Sequence, residues 1–490
     1  MNHPEAPYHH LTLTFAPHPQ HVALRWEAAV LGMRESRMVL PFAPGDLPTL
    51  LRALDCLQHP NYALLAQQAN HPWWFFSASE QATLAGYGLW DAQRQLVDSA
   101  ADRRVGRLLF AALTADTVAQ QALETVRNHA VANGVMLWLA LRFPPYATEL
   151  AALPWEALRD SLDQPLLLSG GQQAICVRHL DLPLALPPIL PVQRPLDVLA
   201  LAPKAHIPAS VRQAERTARR TILAQLEAEG LIRLRELEPV TRTALVNAIN
   251  ERPADLIYFY GHGHYQAGQG GLLLDGEHGG EAWTDSQRLA KVLAEAKIVL
   301  LFACRGAALL PDTNQPAHGM LSGVAHALNA EGIPLVLAMQ FTVRISAATR
   351  AVELLVRDLN GGHSIQASAA RMRRALFVEE EDQRSWYVPT LTIRSREIGP
   401  LRIFAPAQAQ PMAQTALLPS ADAPQPTHGP GARMGDRDAM QGPHPLAPSP
   451  ASGRGVTKDD GCSVALGEGQ GERATCSPPA SSPPASPPPA

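Results

Sequence analysis

The chain has 490 residues, a net charge of −4 and 18% charged residues. Length suggests roughly two to four domains, and the charge gives no case for direct binding of nucleic acid or a membrane surface. Apolar residues make up 46%, enough for a packed core, yet no run approaches the roughly 18 residues of a membrane span.

From Leu11 to Leu184, short strand-like runs alternate with helical patterns. Leu11-Thr12-Leu13-Thr14-Phe15 and Val22-Ala23-Leu24-Arg25-Trp26 alternate with period two, the mark of a half-buried strand. Leu108, Leu109, Ala112, Val118, Ala122 and Val126 give a helical rhythm across 105–133, and 135–141 then reads as a strand. This N-terminal region, 1–190, carries no polar constellation of the kind a site needs, so it reads as an α+β accessory domain for folding or docking. It ends in Leu186-Pro187-Pro188-Ile189-Leu190-Pro191, a stiff, extended joint.

A new sheet begins at 196–202. A helix over 209–229 follows, with Gly230 as its C-cap, then a strand at 232–237 and a helix at 242–251 with Thr241 as N-cap. The run Leu256-Ile257-Tyr258-Phe259-Tyr260 is a strand closing on Gly261-His262-Gly263. Next come a helix at 285–296, a strand Ile298-Val299-Leu300-Leu301-Phe302 leading to Cys304, a helix at 319–329 and a strand at 335–340. Helices at 346–360 and 364–377 precede a strand that opens at Trp386. Strands alternating with helices imply βαβ units, so 195–404 is expected to be a three-layer αβα sandwich with a mostly parallel sheet. From 405 to 490, proline is roughly a fifth of the residues, and the tail is expected to be disordered because it cannot bury enough apolar surface.

The five cysteines, Cys56, Cys176, Cys304, Cys462 and Cys476, show no CxxC pair and no metal-ligand spacing, so neither a metal nor another cofactor is expected. No glycine-rich phosphate loop of the known patterns is present either. Cys56 and Cys176 sit within apolar runs and read as small core residues. Scattered cysteines suit a reducing compartment. The start Met1-Asn2-His3-Pro4-Glu5 has no basic and apolar leader, so the expected location is the cytoplasm.

Cys304 differs from these. It ends a strand and precedes Arg305-Gly306, and His262 ends another strand 42 residues upstream. Neighbours in a parallel sheet would present a thiol and an imidazole together at the carboxyl ends of their strands, where open α/β sheets place their sites. The competing reading of Cys304 is a small core residue, and His264 competes with His262 as base.

Phe302-Ala303-Cys304-Arg305-Gly306 resembles the caspase signature Q-A-C-[RQG]-G, whose histidine lies about 50 residues upstream. The wider context is more similar to the CHAT domain, a caspase- and separase-like peptidase module. The histidine strand Asp255 to Gly263, the strand Gly332 to Gln340, the segment Trp386-Tyr387-Val388-Pro389-Thr390-Leu391 and, upstream, Leu153-Pro154-Trp155-Glu156 all resemble that family, over roughly residues 100–404. The resemblance implies a caspase-like cysteine endopeptidase with a His262–Cys304 dyad and an oxyanion site made by the N–H groups of Gly263 and Cys304. It implies a protein substrate, and an effector of the bacterial type activated by a separate sensor or partner protein. The caspase glutamine two residues before the cysteine is Phe302 here, so specificity does not carry over from it. Asp275, with Glu277, Glu281 and Asp285 near it, is the candidate pocket for a basic side chain. Phe302 would line that pocket, and Gln340 would hydrogen-bond the substrate. The alternative is a catalytically silent scaffold that keeps the fold and docks partners through the Arg305 loop.

Overall fold

In the computed structural model, the described residues are 8–67, 74–168, 174–180, 192, 194–204, 209–266, 269–304, 323–380, 382–394, 401 and 403–404. The strands are β1 (Tyr8–Pro17), β2 (Val22–Ala28), β3 (Gly32–Met38), β4 (Trp90–Asp91), β5 (Leu96–Val97), β6 (Met136–Phe143), β7 (Ala174–Leu180), β8 (Leu196–Leu201), β9 (Ile232–Leu237), β10 (Leu256–Gln266), β11 (Gln269–Asp275), β12 (Glu281–Asp285), β13 (Ile298–Cys304), β14 (Leu335–Met339) and β15 (Pro389–Ile393). All but the β4–β5 ribbon join one sheet, in the order β12-β11-β10-β13-β14-β15-β7-β6-β1-β2-β3. β8 pairs with the first half of β10, and β9 pairs with β8. The pairs that carry the βαβ crossovers are parallel, and the hairpin pairs at both ends are antiparallel.

Period-two alternation divides the strand residues between two cores. Leu256, Tyr258, Leu300 and Phe302 pack on one side with Leu223, Leu226, Val352 and Leu355 from the helices Ala209–Ala228 and Ile345–Asn360. Ile257, Phe259, Val299 and Leu301 pack on the other with Leu245, Ile249, Leu289 and Leu328 from Arg242–Glu251, Ser286–Val292 and Val324–Ala330. This is the caspase-like three-layer arrangement expected from βαβ alternation. Each fully buried Leu, Val or Phe contributes on the order of 2 kcal/mol, which is why both faces of these strands are apolar.

Several local features follow from the residues. Thr241 accepts a hydrogen bond from the Ala244 N–H and caps its helix. Gly230 takes φ +72° after the helix ending at Ala228, a conformation that favours glycine. Other expectations need correction. The single helical rhythm over 105–133 is two helices, Ala101–Leu113 and Thr117–Ala132, separated where Asp116 caps the second by accepting from Val118 N–H. Trp386 lies in a 3₁₀ turn, Ser385–Tyr387, and the strand begins only at Pro389.

The region 1–190 is not a detached domain. β15 pairs with β7 at Thr392 and Arg178, and Leu11, Leu13, Phe15 and Leu139 belong to the same core as Ile298, Leu300 and Leu391. The N-terminal α+β region therefore extends the sheet of 195–404. The joint 186–191 and the tail 405–490 lie outside the described residues.

A buried polar knot closes this junction. Glu156, in the Leu153-Pro154-Trp155-Glu156 segment, is fully buried and takes a bidentate pair from Arg178, at 3.0 Å from Nε and with a shorter contact from Nη2. Arg178 Nη1 donates to the Ala151 carbonyl at 2.6 Å, and Nη2 donates to Gln340 Oε1 at 3.1 Å. Gln340 Nε2 donates to the Ala152 carbonyl. Arg373, also buried, donates to the Pro389 carbonyl at 2.9 Å and lies 3.9 Å from Glu156. The knot thus joins the N-terminal region, β7, the end of β14 and the helix Ile365–Glu379.

Candidate functional site

His262 and Cys304 are register partners. β10 and β13 run parallel, paired residue for residue from Leu256 and Ile298 to His262 and Cys304. The strands beneath are sealed: Ile257, Tyr258 and Phe259 on β10, and Val299 to Phe302 on β13, are all buried. His262, by contrast, is half-buried. Paired strands lie about 4.8 Å apart, so the two residues stand side by side at the carboxyl edge.

β10 does not stop at His262. Beyond it the strand runs on to Gln266 as an antiparallel pair with β11, Gly263 opposite Leu272 and His264 opposite Gly271. β11 in turn pairs with β12. Gly271 is required here, because a Cβ would come within 2.6 Å of the Thr284 carbonyl oxygen. Both histidines lie within β10, and register separates them. His262 faces the β13 side, whereas His264 belongs to the hairpin. The loop beginning at Arg305-Gly306 and the residues up to 322 lie outside the described residues.

The three expected substrate-binding residues are all engaged elsewhere. Asp275 is buried, and its carboxylate accepts the Lys204 N–H at 2.7 Å through Oδ1 and the Val240 N–H at 2.8 Å through Oδ2. It ties the loops after β8 and β9 to the end of β11, so it is an anchor and not a pocket for a basic side chain. Phe302 is 1% exposed and packs on Tyr258 with ring centroids 5.4 Å apart, so it lies in the core beneath the site and lines no pocket. Gln340 is spent on the Arg178 knot and is buried away from any substrate. Two of the three remaining acids serve helix starts: Asp285 accepts from Arg288 N–H, and Glu277 accepts from Thr243 N–H at 2.9 Å, while Glu281 lies exposed on β12. Sequence reading missed these roles because a carboxylate before a helix and a carboxylate in a pocket look alike in one dimension. The Asp-x-x-Arg spacing at 285–288 was the one available signal of a cap.

The other described cysteines offer no rival nucleophile. Cys56 and Cys176 are both fully buried. Burial, with the Glu156 carboxylate next in effect, pushes the Cys176 thiol up to about 12, which keeps it protonated and unreactive. Cys462 and Cys476 lie outside the described residues. Among the described residues no group of three or more His, Cys, Asp or Glu could hold a metal, and no helix is long and apolar enough to cross a membrane.

A parallel sheet layered by helices, with histidine and cysteine abreast at its carboxyl edge, has the caspase-like cysteine-peptidase fold. The chain belongs to the CHAT domain family, whose model matches residues 103–425. That match begins well inside the region 1–190, in keeping with the continuous sheet. Among curated proteins none matches the sequence. Solved structures similar to it include Saccharomyces cerevisiae separase in complex with securin, at 12% identity and TM-score 0.43, covering 79% of this chain and 30% of that one. Another is the complex of Porphyromonas gingivalis RgpB pro- and mature domains, at 11% identity and TM-score 0.38, covering 60% of this chain and 74% of that one. The chain thus spans less than a third of the separase chain it matches.

Proposed function

We propose that the chain is a cysteine endopeptidase in which His262 and Cys304 form the catalytic dyad. The register pairing of these two residues at the carboxyl ends of β10 and β13 carries this reading. Paired residues on neighbouring strands share a sheet face, the placement an imidazole needs to take a proton from a thiol. An unperturbed thiol titrates near about 8.5, and an adjacent imidazolium lowers that value. In this mechanism the Cys304 thiolate adds to the scissile carbonyl carbon, and the Gly263 and Cys304 N–H groups hold the oxyanion. The C–N bond then breaks as His262 gives its proton to the leaving amine. Water, deprotonated by His262, cleaves the thioester and restores the thiol.

The chain's substrate in this reading is another protein, and a separate sensor or activator protein releases its activity in the cytoplasm, as the resemblance to bacterial CHAT effectors implies. The buried positions of Asp275, Phe302 and Gln340 leave the cleavage preference to residues around the Cys304 loop.

The test is proteolysis of an unbiased peptide library by the full chain, with its activating partner where one is needed. Cys304→Ala is expected to abolish cleavage while leaving the melting temperature near that of the wild type. His262→Ala should lose on the order of a thousandfold or more, within the range of a missing base and oxyanion geometry, while His264→Ala keeps most activity. Equal losses for the two histidines, or activity that survives Cys304→Ala, would remove the dyad and leave the scaffold reading.

A further inference from the structure

The N-terminal half of the sheet carries a second juxtaposition of polar side chains that the peptidase reading does not use. At the carboxyl ends of β6 and β7, Arg142 and His179 are register partners in a parallel pair, as His262 and Cys304 are in β10 and β13. They open on a cavity of about 690 Å³ whose walls include Tyr8 and His10 from β1, Glu27 from β2, and Trp138 from β6. The Trp138 ring makes the floor, with Tyr8 at 5.1 Å and His10 at 5.3 Å between ring centroids. His10 is held in place by the Thr12 hydroxyl, 3.3 Å from Nδ1.

The charges in this cleft do not balance as an ordinary surface would. Arg142 is exposed and, among the described residues, forms no ion pair with a carboxylate. The one acid on the rim, Glu27, is paired with Arg25 at 3.1 Å. Among the described residues, the groups facing the two imidazoles from each element are Tyr8 and His9 on β1, Glu27 on β2, Arg142 on β6 and the Ile393 backbone on β15, with the His129 ring tilted against His9 at 4.5 Å. Glu27 is, among the described residues, the one carboxylate lining the cleft, and it is already engaged by Arg25. Burial first, then Arg142 and a neighbouring histidine, holds His10 below its ordinary value and pushes His179 down to about 4. Three groups able to carry positive charge therefore converge beside one carboxylate that Arg25 already pairs, which leaves room for an anion from outside.

We propose that this cleft is a binding site for a small oxyanion-bearing molecule, a carboxylate or a phosphate, gripped by Arg142, His10 and His179. A guanidinium takes either group by paired hydrogen bonds. The bound negative charge would favour the protonated imidazoles, so binding takes up protons and strengthens as pH falls toward the depressed values of His10 and His179. The site is separate from the β10–β13 edge, and its test does not depend on peptidase activity.

The experiment is an NMR titration of the histidine ring protons of the full chain, with inorganic phosphate in one series and acetate in another. At least one anion should move the His10 and His179 signals saturably and raise their titration midpoints. A response to one series alone identifies which oxyanion the cleft takes. Arg142→Gln, at an exposed position that should not disturb folding, is expected to weaken binding by roughly tenfold or more. His179→Gln should reduce the pH dependence, with His10 supplying what remains, and leave residual binding. No saturable shift in either series, or an equal response in Arg142→Gln, overturns the proposal.

Discussion

The two halves of the sheet use one backbone plan for different ends. In both, parallel strands bring a pair of polar residues abreast at their carboxyl ends: His262 with Cys304 in the C-terminal half, and Arg142 with His179 in the N-terminal half. In both, polar groups placed within the strands or just beneath are sealed. Cys176, in the middle of β7, is a thiol pushed up to about 12, while the cysteine of the candidate dyad is the last residue of its strand. Position along a strand, more than residue type, separates the buried thiol of Cys176 from the cysteine placed at a strand end. Mid-strand atoms lie under helices on both faces, and strand ends do not.

The contrast is sharpest at the knot that joins the halves. Removing Glu156 leaves two buried guanidinium groups without their carboxylate, and a broken buried pair costs about 3–5 kcal/mol. Glu156→Ala should therefore show the largest loss of stability in equilibrium denaturation, with both halves unfolding earlier. A separate transition for each half would mean that the knot couples them and does not merely stabilise one.

Asp275 offers a smaller and more local break. Asp275→Ala leaves the buried Val240 N–H without its acceptor, at about 1–3 kcal/mol, and frees the part-buried Lys204 N–H at a smaller cost. Stability should fall and the Lys204 and Val240 amides should exchange faster with solvent, whereas Asp275→Asn keeps one acceptor and loses less. A raised Michaelis constant for arginine substrates with unchanged stability would return Asp275 to the cleft.

The smallest effect is pH dependence. His326, buried on the helix Val324–Ala330, is pushed down to about 3 by burial and then by Arg178. A histidine whose folded value is depressed is protonated first in the unfolded chain. Its contribution is thus intact above about 6.5 and is lost as pH falls from there toward about 3. The slope is at most about 1.4 kcal/mol per pH unit for one such group. His326→Leu should flatten the acid limb of a stability–pH curve in the C-terminal half, while the His179 contribution remains. An unchanged slope would show that His326 is already protonated in the fold.

Much of the C-terminal half was legible in one dimension. Strands β8, β9, β10 and β13 and the helices between them followed from short apolar runs, capping residues such as Thr241, and Gly230 after a helix. The Trp386 segment was placed as strand because its residues are aromatic and β-branched, but tertiary packing of Trp386 and Tyr387 into the core gives a turn. β3 carried no apolar alternation, since only Ser36 and Met38 of Gly32–Met38 are buried. It is held by its partner β2 and by Asp116, which accepts the Arg37 N–H at 3.2 Å.

By itself the sequence determined the α/β class and the two strands that bear His262 and Cys304. Periodicity and chain punctuation are local, and a period of two marks a strand wherever that strand later goes. Only the tertiary structure decided that the region before the proline joint shares one core with the rest, and that His262 rather than His264 pairs with Cys304. It alone decided that Asp275, Phe302 and Gln340 are an anchor, a core ring and part of a buried knot. Those outcomes depend on which atoms 35 to 188 residues away fill the space around a side chain, and partners at that separation leave no trace in spacing.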